Sequence, residues 1–254
     1  YISTSYADNQ GIVKGDNFSR MTVLGKINTD ITSWLQIGVD AAYTYSDYSG
    51  VGANLTNAQI LTPYDMMYRG NSTSLLEKYP NGQSEAMNPL WGVESDNLDD
   101  IDLRNNFRAN AYMVVKLPWV KGLSYRLNYS GNLDYKRVEQ FYHESYYAPI
   151  GPFDDESRYS ITTQQNYLAN ANGSSQNIKT TSWVLDNILN YKNTFGKHTI
   201  DLTAVATRDS KRIKDEKMTG SDFSANGNTI LGANGLHYAK IQKLNNNNTL
   251  RRNI

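Results

Sequence analysis

The residues able to do chemistry are few and scattered. Asp96, Asp99, Asp100 and Asp102 form an acidic cluster whose oxygens would suit calcium, but the spacing and glycine of an EF-hand are missing, so a solvated acidic loop is the simpler reading. His143, His198 and His237 are far apart and fall near strand or loop ends, where rim histidines explain them better than metal ligation does. There is no glycine-rich phosphate loop, no Gly-x-Ser-x-Gly and no His-Glu-x-x-His. Cysteine is absent, which excludes disulfides and thiolate metal sites. No carboxylate pair can be set face to face, so a non-enzyme without cofactor or metal is expected. What remains is recognition chemistry. Trp91, Tyr142, Tyr146, Tyr147, Phe153 and Tyr159 lie on connections, and such rings can stack on the C–H faces of sugars. They could equally pack loops together. Arg126, Asn128 and Asp134, with Asp40 and Asp201, sit on polar strand faces that could line a solute path.

Those side chains must be positioned by strands. In residues 122–134, Leu123, Tyr125, Leu127, Tyr129, Gly131 and Leu133 share one parity and Ser124, Arg126, Asn128, Ser130, Asn132 and Asp134 the other. Before it, Phe107, Ala109, Ala111, Met113 and Val115 oppose Arg104, Asn106, Arg108 and Asn110. Pro118-Trp119-Val120-Lys121 between them reads as a hairpin turn. The same pattern predicts strands over 1–7, 18–30, 34–46, 181–193 and 198–212, with an eighth over 236–244; the asparagine-rich 245–254 carries no strand signal. In 181–193, Asn187 interrupts the apolar face and Ile188 falls on the wet one. Residues 47–102 and 142–179 are long loops.

Short and long connections alternate, so all short turns lie at one end of the sheet and all long loops at the other. A bilayer-spanning barrel has this asymmetry. Trp34, Trp119 and Phe195 mark the short turns as membrane-interface aromatics, and Tyr43, Tyr45, Tyr48, Tyr135 and Tyr142 form a second girdle at the far ends. No charge falls in the middle of an apolar face. The expected class is all-β: an antiparallel up-and-down meander of about 7–8 long strands, part of a large transmembrane β-barrel. A secreted carbohydrate-binding β-sandwich would share the alternation, but its strands are usually about 5–6 residues long. A complete eight-stranded outer-membrane barrel is the other alternative.

Lys+Arg and Asp+Glu balance at 25 each over 254 residues, which leaves no basic stripe for nucleic acid. Mean hydropathy is −0.61, despite 19 tyrosines. No apolar run approaches the ~20 residues of a spanning helix, and Tyr1-Ile2-Ser3-Thr4 does not open a signal peptide.

Several stretches in series are similar to a known family: Ser5-Tyr6-Ala7-Asp8-Asn9-Gln10-Gly11-Ile12, Phe18-Ser19-Arg20, Lys26-Ile27-Asn28, Ile31-Thr32-Ser33-Trp34-Leu35-Gln36-Ile37-Gly38, Asn88-Pro89, Lys121-Gly122-Leu123 and Phe195-Gly196-Lys197-His198. The succession resembles the early-to-middle barrel region of SusC/RagA-type TonB-dependent outer-membrane transporters; Lys26 stands where an arginine is common. The resemblance implies location in a Gram-negative outer membrane among its lipids. It also implies import of oligosaccharides or peptides, a SusD-like surface lipoprotein as partner, and a TonB complex acting through a plug that these residues do not contain. Such transporters have barrels of about 22 strands. Residues 1–254 are therefore expected to be a partial outer-membrane barrel domain with no plug.

Overall fold

The computed structural model describes residues 1–68, 79–81, 87–94, 98–143, 171–224 and 229–253. They build one sheet of eight antiparallel strands in sequential order. The strands are β1 (Ile2–Gln10), β2 (Asn17–Thr32), β3 (Leu35–Asp47), β4 (Leu98–Lys116), β5 (Leu123–Tyr142), β6 (Asn172–Phe195), β7 (His198–Ser221) and β8 (Ile241–Asn253). Two short helices, α1 (Leu55–Ile60) and α2 (Trp91–Glu94), lie between β3 and β4, and a 3-10 helix (Gly232–Tyr238) lies between β7 and β8.

The meander expected from alternation is what forms, with longer strands than the pattern marks. Asp96 lies outside the described residues. Strand β4 begins at Leu98, so Asp99, Asp100 and Asp102 lie on a strand rather than in an acidic loop. Their side chains alternate faces, and each has a partner: Asp99 meets His143 at 2.7 Å, Asp100 accepts from Gln140 at 3.0 Å, and Asp102 accepts from Arg104. Among the described residues no carboxylate–histidine cluster could hold a metal. Strands β6 and β7 run to 24 residues each, absorbing part of two expected loops. Strand β8 occupies Ile241–Asn253, including the asparagine run and excluding most of the expected 236–244.

The short turns solve local problems with specific residues. After a bulge between Asp30 and Thr32, the Thr32 hydroxyl accepts the Leu35 amide at 3.0 Å. Gly122 has φ of 87° where β5 begins, and its missing Cβ lets the Lys192 carbonyl of β6 approach closely. Gly196-Lys197 closes the β6–β7 hairpin with Gly196 left-handed.

No second layer covers the sheet among the described residues. The buried hydrophobic cluster is small: Phe141, Ala171, Phe223, Leu236 and Ala239, with Met218 and Ala233 packed against it. It sits at the long-loop end, where the 3-10 helix folds onto β5, β6 and β7. This single layer removes the basis of the sandwich reading, which needs its apolar face packed on another sheet. Strands β1 and β8 are the two edges of the sheet, and no pairing between them closes an eight-stranded barrel among the described residues.

Candidate functional site

The register carries one predominantly apolar face across β2 to β6. A single row runs Ile27, Val39, Ala111, Tyr129, Leu185 and then Arg208. Its apolar members are not core: Ile27 is 71% exposed and Val39 49%. The charge at the end of the row has a geometric reason. On β7 the apolar stretch is Ile200, Leu202, Ala204 and Ala206, whose partners on β6 are Asn193, Tyr191, Leu189 and Asn187. The apolar band therefore slides toward the short turns as the sheet proceeds from β2 to β7. A flat hydrocarbon slab crossing strands tilted by about 35–45° produces this slide. Strand β8 pairs only with Asp209–Ser221 of β7, beyond the band, and is accordingly mostly polar, Ile241, Leu244 and Leu250 excepted.

Polar side chains on the apolar face are neutralised by tyrosine. The Tyr125 hydroxyl donates to Asn187 Oδ1 at 2.7 Å, and Asn187 Nδ2 reaches the Ala206 carbonyl at 3.4 Å. The asparagine that breaks the β6 pattern is thus hydrogen-bonded within the sheet, as an apolar medium demands. Tyr43 serves Asn105 and Tyr135 serves Asn177 in the same way, at 2.5 and 2.7 Å. Trp34, Trp119 and Phe195 are all exposed at the short turns, Trp119 at 85%. The second girdle is smaller than expected. Tyr43, Tyr45 and Tyr135 are on the apolar face, but Tyr48 packs on Phe18 and Arg104, and Tyr142 pairs in register with Leu98, so both belong to the polar side.

The opposite face is a layer of amides, hydroxyls and charges that satisfy one another. Gly38 lies between Asn28 and Tyr112 in register, and its lack of a side chain lets the Tyr112 ring lie across β3 and donate to Asn28 Oδ1 at 3.2 Å. The Arg126 guanidinium stands 4.8 Å from that ring and donates to Asn128 at 2.7 Å. Asn110 donates to Asp40 at 2.6 Å, Thr207 to Asp186 at 2.7 Å, and Lys192 pairs with Asp201 at 3.0 Å. Asp134 is the register partner of Asn106 and Thr180 on this face. The five residues expected to line a solute path, Arg126, Asn128, Asp134, Asp40 and Asp201, are therefore all on the polar face. Tyr112 belongs with them, and its only signal in the sequence is Gly38, which the register alone brings beside it.

At the long-loop end this face hollows into a cavity of about 760 Å³ bordered by Gln140, Tyr142, Ser174, Lys217, Thr219 and Lys243. Lys217 falls in a stretch with no strand signal and Lys243 at the end of the expected eighth strand, and nothing in the sequence marks either as a rim residue. A smaller cavity of about 200 Å³ brings Tyr142 together with Trp91, Asn88 and Pro89. Tyr142 is exposed and borders both, while Trp91 is 3% exposed and so anchors its loop. Asn88 explains that anchor: its side chain accepts the Leu90 amide at 3.0 Å and its carbonyl accepts the Trp91 amide at 3.0 Å, starting α2. Tyr146, Tyr147, Phe153 and Tyr159 lie outside the described residues.

No family model matches the chain. Among curated proteins it is 20% identical over 213 residues to TonB-dependent receptor P3 of Formosa agariphila, covering 80% of this chain and 19% of that one. It is 21% identical over 244 residues to TonB-dependent receptor P26 of the same organism, covering 93% and 22%. The chain thus spans about a fifth of the length of these relatives. Among solved structures, the RagAB peptide transporter superposes with a TM-score of 0.62 at 14% identity, over 98% of this chain and 27% of that one. The RagAB importer in its closed-closed state gives 0.61 at 13%, again over 98% and 27%. The fold is that of a stretch of RagAB barrel, and the sequence similarity to TonB-dependent receptors agrees with the SusC/RagA-type resemblance.

Proposed function

We propose that this chain is wall from the outer-membrane barrel of a SusC/RagA-type transporter, which imports peptides or oligosaccharides with a SusD-like surface lipoprotein and TonB-derived energy. One observation carries the reading: a single-layer sheet with an exposed apolar face, a self-satisfied polar face and every long loop at one end. Hydrocarbon covers the first face and an interior space the second. Trp34, Trp119 and Phe195 sit at the inner headgroup level. Arg126, Asn128 and Asp134 line the interior, and Tyr142 with Lys217 and Lys243 meets solute at the outer rim. RagAB is a peptide importer, and the two rim lysines of this chain suit the carboxylates of a peptide. The rim tyrosine suits a sugar face as well.

The test uses the full-length protein. Expected are extraction only with detergent, heat-modifiable gel migration, and co-purification of a surface lipoprotein. Replacing Lys217 and Lys243 together by Gln should lower uptake of an acidic oligopeptide by about tenfold, if each lysine supplies a hydrogen bond to a charged group. A monomer soluble without detergent would overturn the proposal.

A further inference from the structure

We propose that the outward face of β6 and β7, just beyond the apolar band on the long-loop side, binds the phosphate of an anionic membrane lipid through Lys179, Arg212 and Lys214. The proposal rests on the barrel-wall reading, because that face is membrane-exposed only if the apolar face looks into lipid.

The strand register supplies the first observation. Lys179 and Lys214 are direct partners on the same face, and Thr181 faces Arg212 one pair nearer the apolar band. Like charges set opposite one another destabilise a sheet unless something compensates them. Among the described residues no carboxylate lies within ion-pair distance of Lys179, Arg212 or Lys214. Arg212 spends its Nε on Asn248 at 3.2 Å. All three cations are exposed.

Shape supplies the second. Lys179 and Lys214 border a concavity of about 310 Å³ shared with Tyr135, Asn177 and Glu216. Tyr135 donates to Asn177 at 2.7 Å, which fixes one wall. Glu216 is the one carboxylate there, and it stands on the side away from the apolar band, next along β7 from Lys214 on the same face. Toward the band, the face continues through Thr181 to Trp183, whose partner Gly131 has the Tyr129 ring as its nearest neighbour. Trp183, Tyr129 and Leu133 thus form an apolar track on the band side of the paired lysines. An acyl chain on the track puts its phosphate between them. Each basic residue near an anionic headgroup adds to such binding, and salt weakens it.

The full-length protein in nanodiscs of phosphatidylcholine with a minor fraction of phosphatidylglycerol tests this, with native mass spectrometry counting retained lipids. The expected result is selective retention of phosphatidylglycerol. The double variant Lys179→Gln, Lys214→Gln should bind it about tenfold more weakly, while Lys121→Gln, Lys197→Gln at the short turns retains it. An inserted barrel whose Lys179/Lys214 variant keeps the preference overturns this proposal alone. Inorganic phosphate stabilising the protein as much as the lipid does would assign the site to free phosphate and overturn the lipid assignment. A protein that never inserts overturns the barrel-wall reading first, and this proposal with it.

Discussion

At the scale of single residues, the polar face depends on a missing side chain. A Cβ at Gly38 would collide with the Tyr112 ring and with the Asn28 amide oxygen. Gly38→Ala should therefore displace the ring, lose the Tyr112–Asn28 hydrogen bond and loosen the Arg126 contact, at about 1–3 kcal/mol. Urea unfolding of the refolded protein would measure it. Gly38→Ala combined with Tyr112→Ala should cost less than the two single changes added, because the clash vanishes with the ring. Asp222 gives a second test, outside the membrane. It holds φ of 61°, accepts the Ser224 amide and hydroxyl, and lies 3.5 Å from Lys240. The Ser224 hydrogen bonds, helped by Lys240, hold its carboxyl below the ordinary aspartate range. A carboxylate favoured in the folded state stabilises the loop above its unfolded value, about 3.9. That contribution fades as pH falls through the lower folded value. Proteolysis of the 222–240 connection should be constant above about pH 5 and rise only in stronger acid. Asp222→Asn, which also tolerates a left-handed backbone, should abolish this pH dependence.

At the scale of elements, strand identity was legible wherever hydrocarbon enforces alternation. Strands β2 to β5 and the first half of β7 read directly, because each sends apolar side chains into the band and polar ones away from it. Legibility ends where the band ends. The far halves of β6 and β7 and most of β8 carry no sustained apolar alternation, so nothing in 245–254 distinguishes a strand from a tail. Asn187 was misleading for a different reason: its partner Tyr125 is 62 residues away, and only the register brings them together. The rim cavity was half legible. Tyr142 stood out as an aromatic at a strand end, but Lys217 and Lys243 acquire meaning only when β7 and β8 extend past the membrane. The 3-10 connection is held to the wall by Phe223 and Leu236 against Phe141, with the two phenylalanine rings 5.3 Å apart. Phe223→Ala should cost about 3–5 kcal/mol locally. The expected outcome is fast protease nicking between β7 and β8 with the barrel's heat-modifiable migration intact, since the cluster lies outside the band.

Over the whole molecule, a bilayer on the apolar side makes the two faces answer differently to the same charge. Val39 is at mid-band on the apolar face, with Ile27 and Ala111 beside it in register. Its strand neighbours Gly38 and Asp40 point to the polar side. Arginine at Val39 should cost about 2–4 kcal/mol, the penalty for a cation at the bilayer midplane. Ser130 occupies the opposite face one residue from Tyr129, which stands in the same row as Val39. Arginine there joins Asn110 and Val184 at an interior surface already supplied with acceptors, and should cost well under half as much. The comparison is made by folding both full-length variants into bilayers and titrating with denaturant. If the apolar side instead faced water or a missing protein layer, the depth dependence would disappear. Arginine at Met21, toward the long-loop edge of the same face, would then cost as much as arginine at Val39. A cost that falls from Val39 to Met21, and is nearly absent at Ser130, is a pattern that a bilayer imposes and a soluble partner does not.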